Sequence, residues 1–188
     1  TAAHNFATHN ITLSLIVSAG WALILFSLAP FIIRFYELEE HIASDAINYL
    51  RIVSTAFPFV FMSAAFTGIF NAGGRSKIPF TINGIGLAIN MILDPLFIFV
   101  FDWKTDGAAW ATWIAQACVF TLFIHQLKFK KILWDDFRFF GRLKRIYTTK
   151  IFKIGLPVAT LNALFAFVNM FLGRTASTVG GHIGLMAM

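Results

Sequence analysis

Apolar residues in this chain come in five long runs, at about 11–33, 46–70, 79–101, 107–127 and 151–173, separated by polar stretches. Each run has the length of helix, at ~1.5 Å rise per residue, that crosses a ~30 Å hydrocarbon layer. The pattern predicts an all-α fold, a polytopic bundle of transmembrane helices. The polar stretches are read as connections. Residues 1–10 are a polar lead, and 34–45 are an acidic loop in which Glu37, Glu39, Glu40 and Asp45 outnumber Arg34. Residues 71–77 are a tight turn carrying Arg75 and Lys77, and Asp102, Lys104 and Asp106 mark another short loop. Residues 128–150 are a long basic linker, 174–181 a polar, glycine-containing turn, and a new apolar segment starts beyond it.

Composition agrees with the pattern. Hydrophobic residues make up 58% of the chain and charged residues 13%, with a mean hydropathy of +0.74, far too apolar for a water-soluble domain of this length. The net charge of +6 does not indicate nucleic acid, because the basic residues cluster between apolar runs, as membrane topology requires. Placing the basic stretches 71–77 and 128–150 in the cytoplasm puts Lys77 and Lys144 inside and Glu39 and Asp106 outside, in a multi-pass protein of the plasma (inner) membrane. Phe129, Trp134, Phe137, Phe139 and Phe140 interleave the linker's charges, as in a segment lying on an anionic leaflet. Cys118 is alone and makes no internal disulfide. His4 and His9, five apart, do not share a helix face, so no metal site is expected there.

The charge that stands out is Asp94. It sits in 79–101, which holds no other charged residue, and an aspartate near mid-membrane costs about 2.5–3.5 kcal/mol on insertion scales. Asn90, Gly86 and Asn83 continue its helix face at near-four-residue spacing, forming a polar stripe. Pro95 removes the helical donor of the Met91 carbonyl and is expected to kink the helix beside the carboxylate. Asp94 and Asn90 are therefore the candidate site for a proton or for Na⁺, and the alternative is a satisfied interhelical hydrogen bond. Pro58 and Pro157 are further expected kinks, and Gln116 is a mid-span polar group able to reach the Asn90 stripe. Arg51, about one turn inside its run, is expected to snorkel to the interface, and Trp110 and Trp113 are expected to be packing or interface aromatics. The runs hold no histidine cluster, no nucleophile beside a base and no paired carboxylates, which argues against an enzyme.

In order and spacing, residues 71–80 (NAGGRSKIPF), 90–97 (NMILDPLF), 107–112 (GAAWAT) with Gln116, and 154–157 (IGLP) resemble the multidrug and toxic compound extrusion (MATE) family. The resemblance implies twelve helices in two lobes. It makes 1–127 helices three to six of the amino-terminal lobe, 128–150 the inter-lobe linker, and 151–188 helix seven with the start of helix eight. It implies a fragment of an antiporter that exports organic cations or other xenobiotics against H⁺ or Na⁺ and uses no cofactor. The partners it implies are the bilayer and the transporter's remaining helices. Asn90 and Asp94 match the family's ion-coupling pair, which works with an acid on helix one. Residues 160–168 lack the acid that some members carry on helix seven. On that helix Asn162, Phe165 and Asn169 are candidate contacts for a flat organic cation. The rival readings are a lipid-linked glycan flippase of the same superfamily and a structural membrane subunit.

Overall fold

The computed structural model describes residues 2–128 and 144–186. They form five helices: α1 (Ala2–Arg34), α2 (Glu40–Ala72), α3 (Lys77–Pro95), α4 (Lys104–Lys128) and α5 (Arg145–Met186). A π-helical segment, Leu96–Val100, extends α3, and all five helices are long and apolar enough to cross a membrane. The fold is the expected all-α transmembrane bundle.

Helix ends differ from the hydropathy reading. The supposed polar lead is helical from Ala2, and its Ala7, Thr8 and His9 are buried. The acidic loop shortens because α2 begins at Glu40, leaving Glu37 in a left-handed conformation (φ 53°) at the turn. The expected turn at 174–181 is absent: α5 runs through it to Met186. Hydropathy marks where a helix enters lipid, whereas hydrogen bonding continues for as long as no residue forbids it, and none of these stretches contains proline. Of the linker, Arg145–Lys150 are helical, while the aromatic-interleaved stretch 129–143 lies outside the described residues.

The turn after α2 follows from its sequence. Gly74 has φ 70°, the Arg75 amide donates to the Phe70 carbonyl at 2.9 Å, and the Gly74 amide donates to Asn71 at 3.0 Å. These two bonds make a Schellman motif, which needs a residue free to adopt positive φ at that place. The motif satisfies carbonyls that a chain leaving lipid cannot leave bare. Polar side chains within the helices are satisfied in the same economical way. The hydroxyls of Thr12, Ser18, Ser54 and Thr121 donate to carbonyls three or four residues back, at 2.7–2.9 Å.

α2 is the centre of the bundle, packed on α1 along one side and on α4 along another, with α3 lying mainly against α4. The core joins Ala7 and Ile11 of α1, Phe66 and Phe70 of α2, Ile82 of α3, and Val119, Phe123 and Leu127 of α4. A run of rings cements α2 to α4: Phe59 meets Trp113 at 5.2 Å and Phe120 at 5.4 Å, and Phe123 lies 5.7 Å from Phe66 and 5.9 Å from Phe70. Trp113 is thus a packing aromatic, as expected. Two glycines set how closely α4 lies to its partners. A Cβ on Gly86 would come 2.2 Å from Val119 Cγ2, and one on Gly107 would come 2.9 Å from the Phe97 carbonyl. Small residues at such positions let membrane helices approach closely.

Candidate functional site

Pro95 shapes the ground beside Asp94. It cannot donate to Met91, and the Leu96 amide bonds to Leu93 instead. The register then shifts, the Phe101 amide reaching the Leu96 carbonyl five residues back at 3.1 Å, and a π turn at such a place often accompanies function. No comparable change of helix type occurs at Pro30, Pro58 or Pro157, through which α1, α2 and α5 continue.

One turn before Asp94, Asn90 faces α4. Its amide nitrogen donates to Thr112 Oγ1 at 3.4 Å. Asn83, Gly86, Leu87 and Asn90 of α3 and Thr112, Ala115, Gln116 and Val119 of α4 line one cavity of about 250 Å³. The polar stripe read from the sequence therefore meets Gln116 across a real space, although the residue that bonds to Asn90 is Thr112. At the near end of the stripe, Asn83 donates to Thr67 of α2 at 3.4 Å. Asp94 lies beyond the cavity lining. Its Oδ1 is buried and has no hydrogen-bond partner among the described residues.

The α5 candidates do not join this group. Asn162, Phe165 and Asn169 are exposed, Phe165 at 73%, and the Asn169 amide donates to the Phe165 carbonyl of its own helix at 2.8 Å. α5 packs against α1 rather than against α3 or α4. Arg51 belongs to α2. It lies about three turns inside α2, its guanidinium sits over the Phe26 ring at 5.4 Å, and its buried Nε has no partner among the described residues. Among those residues no histidine, cysteine, aspartate or glutamate group of metal-binding size occurs.

A family model described as MatE matches residues 1–96. The multidrug export protein MepA of Staphylococcus aureus (strain bovine RF122 / ET3-1) is 29% identical over 126 residues, 66% of this chain and 28% of MepA. The probable multidrug resistance protein YoeA of Bacillus subtilis (strain 168) is 27% identical over 176 residues, 83% of this chain and 37% of YoeA. The chain thus spans well under half the length of either relative. Among solved structures, the inward-facing form of a multidrug resistance MATE family transporter of the MOP superfamily superposes with a TM-score of 0.84. It is 23% identical and covers 95% of this chain and 41% of its own. The outward-facing form scores 0.81 at 23% identity, over 96% of this chain and 40% of its own. These likenesses concern the fold. With the family model matching half of its residues, the chain belongs to the MATE family, whose members are secondary transporters and not enzymes.

Proposed function

We propose that the chain is part of an ion-coupled exporter of organic cations or other xenobiotics across the cell membrane, with H⁺ or Na⁺ moving inward as substrate leaves. The observation that carries this reading is Asp94 Oδ1, buried in a membrane-length helix without a partner among the described residues. Leaving a carboxylate so placed is costly, and a proton or a small cation removes the cost. The surroundings suit either ion. Protonation turns the acid into a donor, while Na⁺ takes hard oxygens, here the Asp94 carboxylate, the Asn90 amide oxygen and the Met91 carbonyl released by Pro95. Asn90 has its amide nitrogen committed to Thr112, so its oxygen is the group left for an ion, and ion binding is felt at once by α4. The names of the bacterial relatives, a multidrug export protein and a probable multidrug resistance protein, support xenobiotics as the substrate class. Asn162, Phe165 and Asn169 of α5 are proposed as substrate contacts supplied to a cavity completed by the transporter's other helices, and 128–150 as a cytoplasmic linker.

The reading is tested with the full-length transporter in proteoliposomes under an imposed H⁺ or Na⁺ gradient. Asp94→Asn keeps the size and removes the charge, and is expected to abolish gradient-driven efflux of a cationic dye while the protein stays folded. Asp94→Glu displaces the charge by a methylene and is expected to weaken efflux. Normal efflux by Asp94→Asn overturns the proposal, because a merely structural aspartate tolerates an asparagine that hydrogen-bonds without a charge to desolvate.

A further inference from the structure

α1 and α5 run parallel and are pinned together near their two ends. Between the pins the two helices, together with Phe61 of α2, line a groove of about 330 Å³, to which α1 gives Ser14 and Val17 and α5 gives Phe152 and Leu156. At the far end an Arg174 Nη2 donates to Glu37 Oε1 at 2.6 Å, and the guanidinium lies 4.5 Å from the Phe35 ring centre. The near end is held differently. His9 is 6% exposed, its Nδ1 is 2.6 Å from the Asn5 carbonyl, and its Nε2 is 3.0 Å from the backbone nitrogen of Lys144, where α5 begins. A carbonyl only accepts, so Nδ1 carries a hydrogen; the Lys144 amide only donates, so Nε2 carries none. The contact therefore requires one tautomer of the neutral imidazole. Tyr147 closes over it, its ring centre 4.7 Å from both His9 and Phe6, and its hydroxyl 3.5 Å from the Asn5 amide nitrogen.

We infer that His9 is a positioning residue in transport, a proton-released latch that holds the start of α5 against α1. The inference rests on the transporter reading, but it does not depend on Asp94. A protonated imidazole has two N–H donors and no acceptor, so the Lys144 amide loses its partner and faces a donor instead. That amide belongs to the positive end of a helix, which an imidazolium opposes. The charged and titratable groups toward this end are His4 of α1, Arg75 and Lys77 beyond α2, Lys128 of α4, and Lys144, Arg145, the Tyr147 hydroxyl and Lys150 at the start of α5, the Lys150 ammonium lying 5.9 Å from the Phe6 ring. Both described salt bridges lie at the opposite end. Acidification thus breaks the bond at Lys144 and leaves the Arg174–Glu37 ion pair to hold the other end.

The test places spin labels at Arg75 and Thr149, both exposed, in the full-length transporter with Cys118 replaced by serine. Asp94→Asn is included so that the coupling acid cannot contribute to any pH dependence. Pulsed electron resonance distances are read in nanodiscs at pH 8 and pH 5. A short distance at pH 8 that gives way to a several-fold larger long-distance population at pH 5 is expected. His9→Gln, whose side-chain oxygen accepts the Lys144 amide at either pH, is expected to stay short throughout, and His9→Ala to be long at both. The same pH response in His9→Gln overturns the latch. So does the absence of any response when His9 is intact, a result that needs neither variant to fold.

Discussion

Asp94, Asn90 and Thr112 divide the work of the site unequally, and substitution separates their parts. Thr112→Val removes the Oγ1 that accepts from Asn90 while keeping the shape. Leaving the amide unsatisfied costs about 1–3 kcal/mol, so a lower melting temperature and weakened ion-driven efflux are expected, with Thr112→Ser retaining both. Unchanged efflux and melting in Thr112→Val would show that the bond carries nothing. Asp94 and Asn90 were legible in the sequence because a lone charge in an apolar run stands out whatever packs around it. Thr112 was not: a threonine in a helix can satisfy itself on its own backbone, as Thr121 does, and only the register of α3 against α4 shows that Thr112 faces Asn90. His9 was less legible still. Its spacing from His4 gave no hint of a role, and its partner lies 135 residues away along the chain.

The two glycine contacts at α4 differ in a way that mutants can resolve. At Gly86 the obstacle to a Cβ is a methyl of Val119, at Gly107 it is the backbone of Phe97. Gly86→Ala is expected to destabilise by about 1–3 kcal/mol, the usual range for overpacking, and Val119→Ala to restore most of the loss. Gly107→Ala is expected to cost more than Gly86→Ala, since Phe97 can yield only by moving the π segment. Thermal melts of the four variants in detergent check both statements, and additive losses in the Gly86/Val119 pair would contradict the first. The existence and number of the helices could be read from hydropathy, because lipid demands long apolar runs. Their ends could not, since α1 starts early where Ala7, Thr8 and His9 find tertiary burial. The change to a π segment follows Pro95, where the chemistry removes a helical donor, while α2 and α5 stay helical through Pro58 and Pro157.

The contacts of α1 with α5 fix which ends of the molecule lie together. His9 meets Lys144, and Glu37 meets Arg174, so Arg75, Lys77, Lys128, Lys144 and Lys150 gather toward one end, and Glu37, Glu39, Glu40, Asp45, Asp102 and Asp106 toward the other. The positive-inside rule then predicts that single cysteines at 77 and 144, in a protein without Cys118, resist an impermeant thiol reagent added outside. Cysteines at 39 and 106 are expected to react, and labelling at 144 from outside would reverse the orientation. A fold of this kind exposes apolar side chains all along α5, such as Leu161, Leu164 and Phe165, and that surface was readable as hydrophobic but not as facing any particular neighbour. The central claim is that Asp94 carries the coupling ion, and it is tested most directly by reversing the driving force. Proteoliposomes holding the full-length protein are given a substrate gradient alone, and movement of H⁺ or Na⁺ against it is recorded with an ion-sensitive dye. Opposed ion flux in the unaltered protein and none above background in Asp94→Asn is the predicted result; undiminished ion flux in Asp94→Asn would contradict it.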